Sequence, residues 1–242
     1  LLQCPGFVTL SLPENNLSAV SITDIIRYFY AMYSDVKTYL RDVLLAGNLP
    51  GIVAHTKMLP PGRRLKTIEE EIALVKLSSV LLLLFPENGK LYTCLTRRPP
   101  TMKHHPGQIS FPGGKVEKED ISAEMTALRE AKEEVGVVSD QVEILGKLSD
   151  LYVEVSRFSI QPYIAWTNCK PDFLVNYSEV EELILFPVSD FVTNEIISET
   201  QLETVTGTLN VKYYPFNGEF IWGATAMILS ELIEILKSRN NL

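Results

Sequence analysis

The stretch Gly113-Gly-Lys-Val-Glu-Lys-Glu-Asp-Ile-Ser-Ala-Glu-Met-Thr-Ala-Leu-Arg-Glu-Ala-Lys-Glu-Glu-Val-Gly-Val137 runs from a glycine pair into a helix that stops on a glycine. Glu130, Glu133 and Glu134 stand at i, i+3 and i+4, so one helical face carries all three carboxylates. Like charges stacked this way cost a helix about 0.2–0.5 kcal/mol per pair. A hard divalent cation is the natural compensation. Mg²⁺ takes carboxylate oxygens and keeps several waters, which leaves room for phosphate oxygens. Gly113 and Gly114 let the backbone approach a ligand closely, and the Gly114 carbonyl can add a metal ligand. Arg129 stands beside the cluster and can orient it by pairing with a carboxylate such as Asp120. A bare E-x-x-E-E triplet reads as a solvated acidic face. Tied to the glycine pair, to the arginine directly before it and to Gly136 after it, the triplet reads as a metal site.

Working outward, the periodicity predicts a helix over 122–135 that stops at Gly136. Residues 97–115, rich in proline and glycine, read as a loop. Before it, 79–85 is a buried-strand pattern and 91–96 the returning strand of a hairpin around Pro86-Glu-Asn-Gly89. After the helix, 142–152, 159–167 and 183–188 read as strands, and 211–216 with 219–222 as a hairpin around Asn217-Gly218. Cys94 and Cys169 fall in strand patterns and are expected to be buried apolar residues. Helices are expected over 35–45 and 224–237, with a short one over 69–77. Ile22, Ile25, Ile26 and Phe29 also fall at helical spacing. The first methionine is Met32, so residues 1–31 are expected to lie upstream of the native start or to form an appendage. The expected organisation is a partly helical N-terminal extension over 1–48 and one domain over 49–242.

Composition narrows the function classes. The 242 residues are 46% hydrophobic and 21% charged, which is globular. The longest apolar run is the six residues Val80 to Phe85, against the ~20 that a membrane span needs. A net charge of −8 disfavours general nucleic-acid binding. Three scattered cysteines build neither a disulfide framework nor a metal knuckle, which points to a reducing cytoplasm.

The 113–137 stretch resembles the box of the Nudix hydrolases, G-x5-E-x7-R-E-U-x-E-E-x-G-U with U a bulky aliphatic. Gly114, Arg129, Glu130, Glu133, Glu134, Gly136 and Val137 match. Asp120 fills the first glutamate slot, Ala131 the first aliphatic slot, and eight residues separate Asp120 from Arg129. The preceding Leu95-Thr-Arg-Arg-Pro-Pro-Thr-Met-Lys-His-His-Pro-Gly-Gln-Ile-Ser-Phe-Pro-Gly-Gly114 is similar to the signature of the coenzyme A pyrophosphatase branch, through Arg98, His105, Gly107, Gln108, Phe111 and Pro112. Trp222-Gly-Ala-Thr-Ala226 resembles that branch's C-terminal element.

The resemblance implies an α/β class, a Nudix α/β/α sandwich with a mixed sheet and an N-terminal helical extension. It implies a Mg²⁺- or Mn²⁺-dependent pyrophosphohydrolase that cleaves coenzyme A or its derivatives to 3′,5′-ADP and 4′-phosphopantetheine. The implied catalytic set is Arg129, Glu130, Glu133 and Glu134. Metal ligands are Glu130, Glu133, Glu134 and Gly114, with Glu130 and Glu134 first. Substrate contacts are Arg98, Lys103, Gly113 and Gly114. The basic run Arg97, Arg98, Lys103, His104 and His105 supplies local positive charge, from which Arg98 and Lys103 would meet phosphate, whereas His105 is expected to be a structural hydrogen-bonder rather than a metal ligand. A helix glutamate, Glu154, Glu179 or Glu182 would serve as general base. Trp222 reads as a core aromatic or a stacking platform for adenine. The expected partner is a small nucleotide-type substrate, without nucleic acid or membrane, and with a homodimer left open. The rival readings are a Nudix enzyme of another substrate, such as ADP-ribose, and a non-catalytic Nudix domain that senses nucleotide.

Overall fold

The computed structural model describes residues 22–66, 68–70, 74–102, 106–204 and 207–240. The chain builds α1 (Ile22–Ala46), α2 (Ile52–Thr56), β1 (Lys76–Glu87), β2 (Lys90–Arg97), β3 (Ile109–Ser110), β4 (Gly113–Lys115) and α3 (Ala123–Val135). It continues through β5 (Glu143–Lys147), β6 (Leu151–Val153), β7 (Phe158–Trp166), β8 (Glu182–Phe186), α4 (Val188–Thr193), β9 (Ser198–Thr204), β10 (Gly207–Phe216), β11 (Glu219–Trp222) and α5 (Gly223–Asn240).

β1 organises the molecule. Its run Leu81 to Phe85 is fully buried, as a strand covered on both faces must be. Alternate residues divide between two cores. Leu81, Leu83 and Phe85 meet Ala127, Ala131 and Val135 of α3, whereas Leu82 and Leu84 belong with Leu40 of α1 and Leu229 and Leu232 of α5. Helices therefore cover both faces of one sheet ordered β3-β2-β1-β7-β5, with β4 on β1, β6 on β7 and β8 on β2. β1 and β7 run parallel and the other pairs antiparallel, so the sheet is mixed. This is the α/β/α sandwich expected. β9, β10 and β11 form a separate small sheet.

Asn88-Gly89 and Asn217-Gly218 turn the β1–β2 and β10–β11 hairpins, all four residues at positive φ (49°, 77°, 51° and 81°), as two-residue hairpin loops demand. Several expectations need correction. The 97–115 loop contains β3 and β4, held by pairing to β2 and β1. The expected strand 142–152 is two strands. Ser149 gives its backbone N–H to Glu231 of α5 instead of to a neighbouring strand, and the chain leaves the sheet there. Residues 68–70 form a single 3₁₀ turn, and by Lys76 the chain is already in β1 rather than in a helix. Cys94 is buried in β2, but Cys169 lies beyond the end of β7 and is only partly buried. α4 and β9 had no counterpart in the sequence reading. α1 is one helix of 25 residues, joining the two helical patterns around 22–29 and 35–45. It docks through Leu40 and Leu44 in the core, and the Tyr39 hydroxyl donates to the Ile235 carbonyl at 3.1 Å. The Met32 expectation concerns residues 1–31, of which 1–21 lie outside the described residues.

Candidate active site

α3 is closed at both ends. The Ser122 hydroxyl accepts the Met125 N–H (3.2 Å), which caps the first turn. Gly136 adopts the left-handed region at φ 74°, and its N–H and that of Val137 reach the Lys132 and Ala131 carbonyls at 3.0 and 3.2 Å. The small inner face, Ala127 and Ala131, lets the helix lie close on β1. Its other face then meets the glycine pair of β4.

Glu134 turns inward and is 5% exposed. The Gly113 N–H donates to its carboxylate, and the Thr96 hydroxyl approaches at 3.5 Å. Burial, and after it the charge of Glu130, pushes the Glu134 carboxyl up to about 8. Glu130 lies directly against Gly114, where a Cβ would overlap its carboxylate. Burial raises the Glu130 carboxyl too, against the pull of Arg129 at 2.9 Å. Glu133 behaves differently. Its side chain is 49% exposed and faces the Arg129 guanidinium at 3.1 Å. The three carboxylates share one helical face, but only two point into the interior.

Arg129 grips Asp120 as a fork, Nε to Oδ1 at 3.0 Å and Nη2 to Oδ2 at 2.9 Å. The eight-residue spacing thus preserves the pair. This fork, ahead of the Glu117 N–H and the Thr126 hydroxyl, holds the Asp120 carboxyl well below the usual carboxylate range. Arg129 Nη2 also reaches the Lys115 carbonyl at 3.3 Å, which ties the helix to β4.

Among the described residues no three His, Cys, Asp or Glu side chains already converge as a metal cluster. The donor set nevertheless suits a hard divalent cation. Two inward-facing carboxylates, Glu134 buried and Glu130 part-buried, each resisting ionisation, stand beside a close-packed glycine backbone. Glu130, Glu134 and the Gly114 carbonyl could hold such an ion, with Glu133 able to join by leaving Arg129.

Arg98 stands across from this pair, and its charge favours ionised Glu134. Its backbone closes the loop by pairing with Gln108 and Gly107 at 3.0 and 3.1 Å. Among the described residues the guanidinium hydrogen-bonds the Met102 sulfur at 2.9 Å, and its buried Nε has no partner. A buried donor left so is available to an oxyanion. Arg97 is different, because it is committed to Glu182 and Glu219. Lys103, His104 and His105 lie outside the described residues.

The three candidate bases separate clearly. Glu154 pairs with Lys66 and Glu182 with Arg97. Glu179 alone faces the cluster, near enough for its charge to raise both Glu130 and Glu134. Its loop is pinned to the helix end. Leu174 and Asn176 give their N–H groups to the Val135 and Glu134 carbonyls (3.0 and 2.9 Å), and Asn176 Nδ2 donates to Glu179 Oε1 at 3.3 Å. No signal in the sequence separates Glu179 from the other two. Thr96 and Asn176 were not foreseen either.

The model described as a NUDIX domain matches residues 75–204. An uncharacterized Nudix hydrolase, NudL, of Pectobacterium atrosepticum is 35% identical over 138 residues, covering 57% of this chain and 71% of the relative. The protein of the same name in Yersinia enterocolitica is 34% identical over 143 residues, 58% of this chain and 71% of the relative. Among solved structures, a Nudix hydrolase from M. smegmatis, RenU, superimposes with a TM-score of 0.46 at 19% identity, over 66% of this chain and 85% of that one.

Proposed function

The chain belongs to the Nudix hydrolase family, pyrophosphohydrolases of phosphorus-containing anhydrides that use divalent ions such as Mg²⁺ or Mn²⁺, and on that premise we propose that it cleaves the diphosphate of coenzyme A or its derivatives. The observation that carries the diphosphate reading is the pair of inward-facing carboxylates, buried Glu134 and part-buried Glu130, set against the Gly113–Gly114 backbone and faced by Arg98, whose Nε has no partner among the described residues. The coenzyme A assignment rests on the 95–114 motif and on Trp222-Gly-Ala-Thr-Ala226.

In this reading Glu130, Glu134 and the Gly114 carbonyl would hold the cation, with Glu133 completing the set. When bound, the cation offsets the diphosphate charge and acidifies the attacking water. Arg98 takes a diphosphate oxygen on the edge now left without a partner, and Lys103 joins it on the strength of the sequence motif. Glu179 accepts the proton of the attacking water, with Asn176 holding its Oε1. A new O–P bond forms as the bridging P–O bond breaks, giving 3′,5′-ADP and 4′-phosphopantetheine. Arg129 is a positioning residue. It fixes Glu130 and Glu133 and touches no substrate. The same reading treats 1–48 as an extension on the 49–242 domain, and it places the enzyme in the cytoplasm, in keeping with three cysteines scattered through the sequence. Among the described residues no helix is long and apolar enough to cross a membrane.

Chromatography of the products formed from coenzyme A, acyl-coenzyme A, ADP-ribose and a dinucleoside polyphosphate with Mg²⁺ or Mn²⁺ tests the assignment. Preferential release of 3′,5′-ADP is expected. Equal or greater turnover of ADP-ribose would move the chain to another substrate class. Substrate binding without turnover would favour the sensing reading.

A further inference from the structure

Away from the carboxylates, a groove of about 200 Å³ opens between residues 58–66, the end of β6, and the β10–β11–α5 corner. Its floor is apolar, with Met58, Val211 and Met227 almost fully buried, and Trp222 lines one wall. Its rim carries four cations, Arg63, Arg64, Lys66 and Lys212, in a chain whose net charge is −8. Two of them are neutralised locally. Arg64 pairs with Glu70 and Lys66 with Glu154. Arg63 and Lys212 pair with no carboxylate among the described residues. Glu199 stands opposite Lys212 in the β9–β10 register without forming an ion pair, and an apolar slot with an aromatic wall and two cations outside any ion pair suits a flat ring carrying an anion.

The groove is smaller than the roughly 300–1,000 Å³ of a complete small-molecule site, so it fits part of a larger ligand. It also adjoins the active site through a short ladder. Thr96, beside Glu134, pairs with Ser110, and Arg97 with Ile109. The Ile109 carbonyl then accepts the Thr225 hydroxyl at 2.9 Å, two residues past Gly223 in the groove wall. One strand spacing of about 5 Å and one hydrogen bond thus lead to the α5 wall of the groove, within the span of a nucleotide joined to a diphosphate.

We propose that this groove seats the nucleoside end of the substrate, with Trp222 and the apolar floor against the base and Arg63 and Lys212 on a phosphomonoester that the nucleoside carries besides its diphosphate. The assignment rests on the coenzyme A reading and deepens it. The groove makes the enzyme selective for substrates that carry the extra phosphate. The basic run before the box cannot supply this contact through Arg97, whose guanidinium is already shared by two glutamates.

Calorimetry without metal tests the groove directly. 3′,5′-ADP is expected to bind the full chain at least about tenfold more tightly than 5′-AMP, the worth of one charge-assisted contact. The double variant Arg63→Ala/Lys212→Ala is expected to erase that preference. Turnover gives the second readout: in the same variant, kcat/KM for coenzyme A relative to 3′-dephospho-coenzyme A should fall about tenfold, chiefly through KM. Equal affinities in the native protein, a preference that survives the double substitution, or equal losses on both substrates would each overturn the assignment. If coenzyme A proves a poor substrate, the functional reading fails while the calorimetric preference still decides the groove.

Discussion

Glu134 shows how one side chain can be costly to the empty fold and useful to the loaded one. Its carboxylate is buried beside Glu130, and the Arg98 charge and the Gly113 N–H do not outweigh burial and the neighbouring carboxylate, so ionisation is uphill until a cation arrives. Binding of Mg²⁺ to the folded state alone should therefore raise the melting temperature, with about 2.7 kcal/mol of stabilisation at a hundredfold excess over Kd. Glu134→Gln should abolish the shift and cut turnover by orders of magnitude while circular dichroism reports an intact fold. A full Mg²⁺ shift in that variant would remove Glu134 from the ligand set. Asp120 acts one step back, through the fork it offers Arg129. Asp120→Asn should raise the Mg²⁺ concentration for half-maximal rate about 10–100-fold, much of the rate returning at saturating metal. The identity of these residues was legible because helical spacing and the box sequence are local properties. Their division of labour was not. That Glu133 would face Arg129 while its neighbours turn inward depends on where β4 lies, and no i, i+4 argument contains that.

Elements were legible where the chain decides its own conformation. The two Asn-Gly hairpins, the Ser122 cap and the Gly136 stop are all short-range chemistry. β3 and β4, two and three residues long in a Pro/Gly-rich stretch, exist only because β2 and β1 present free edges to them. Gly136 joins both kinds of information. Its φ of 74° favours glycine, and a Cβ there would also press on Leu174 Cβ at 2.6 Å, in the loop that carries Asn176 and Glu179. Gly136→Ala should destabilise the fold by more than about 1 kcal/mol in denaturant titration and also lower kcat, because the loop bearing the proposed base is displaced. A loss of stability with kcat intact would separate the cap from the base. Glu195 offers a pH-dependent counterpart. Burial disfavours its charge, but Lys237 of α5 and the Tyr214 hydroxyl of β10 (2.7 Å) win, and its carboxyl titrates below the usual range. A depressed acid stabilises the fold above its ordinary titration range and loses that contribution as pH falls through the depressed value. Glu195→Gln should therefore cost about 1–3 kcal/mol at pH 7, with the gap to the native protein closing in acid. A gap independent of pH would assign the contact to packing alone.

Across the whole molecule, the catalytic face and the opposite face are held by different means. Both faces pack apolar side chains on β1, but the α3 side does so with the small residues Ala127 and Ala131, whereas the α5 side adds to its larger apolar core a buried polar junction. Glu231 sits on α5 with no exposed surface and gathers the Gly51 N–H (3.2 Å), the Ser149 N–H (3.2 Å), the Ser149 hydroxyl (2.7 Å) and His55 Nε2 (2.8 Å). Three separate segments thus converge on one carboxylate: α2, the β5–β6 link and the closing helix. The link leaves the sheet at this point, which is why one expected strand became two. No sequence pattern exposes such a knot, because its members lie 82 to 180 residues from Glu231 and none is unusual in its own neighbourhood. Removing the carboxylate strands several buried donors together, which at about 1–3 kcal/mol per unsatisfied group amounts to several kcal/mol. Glu231→Ala should lower stability by that amount in urea. Glu231→Gln, which keeps an acceptor for some of the donors, should lose less. The segments tied here also border the groove at Tyr152 and Lys66 and adjoin α5, whose first turn hangs on β3 through Thr225. Loosening the knot should therefore raise KM for coenzyme A while kcat at saturation stays within a few-fold, since Glu130, Glu134 and Arg129 are anchored on the other face. A collapse of kcat with KM unchanged would mean that the two faces are coupled through the sheet rather than held independently.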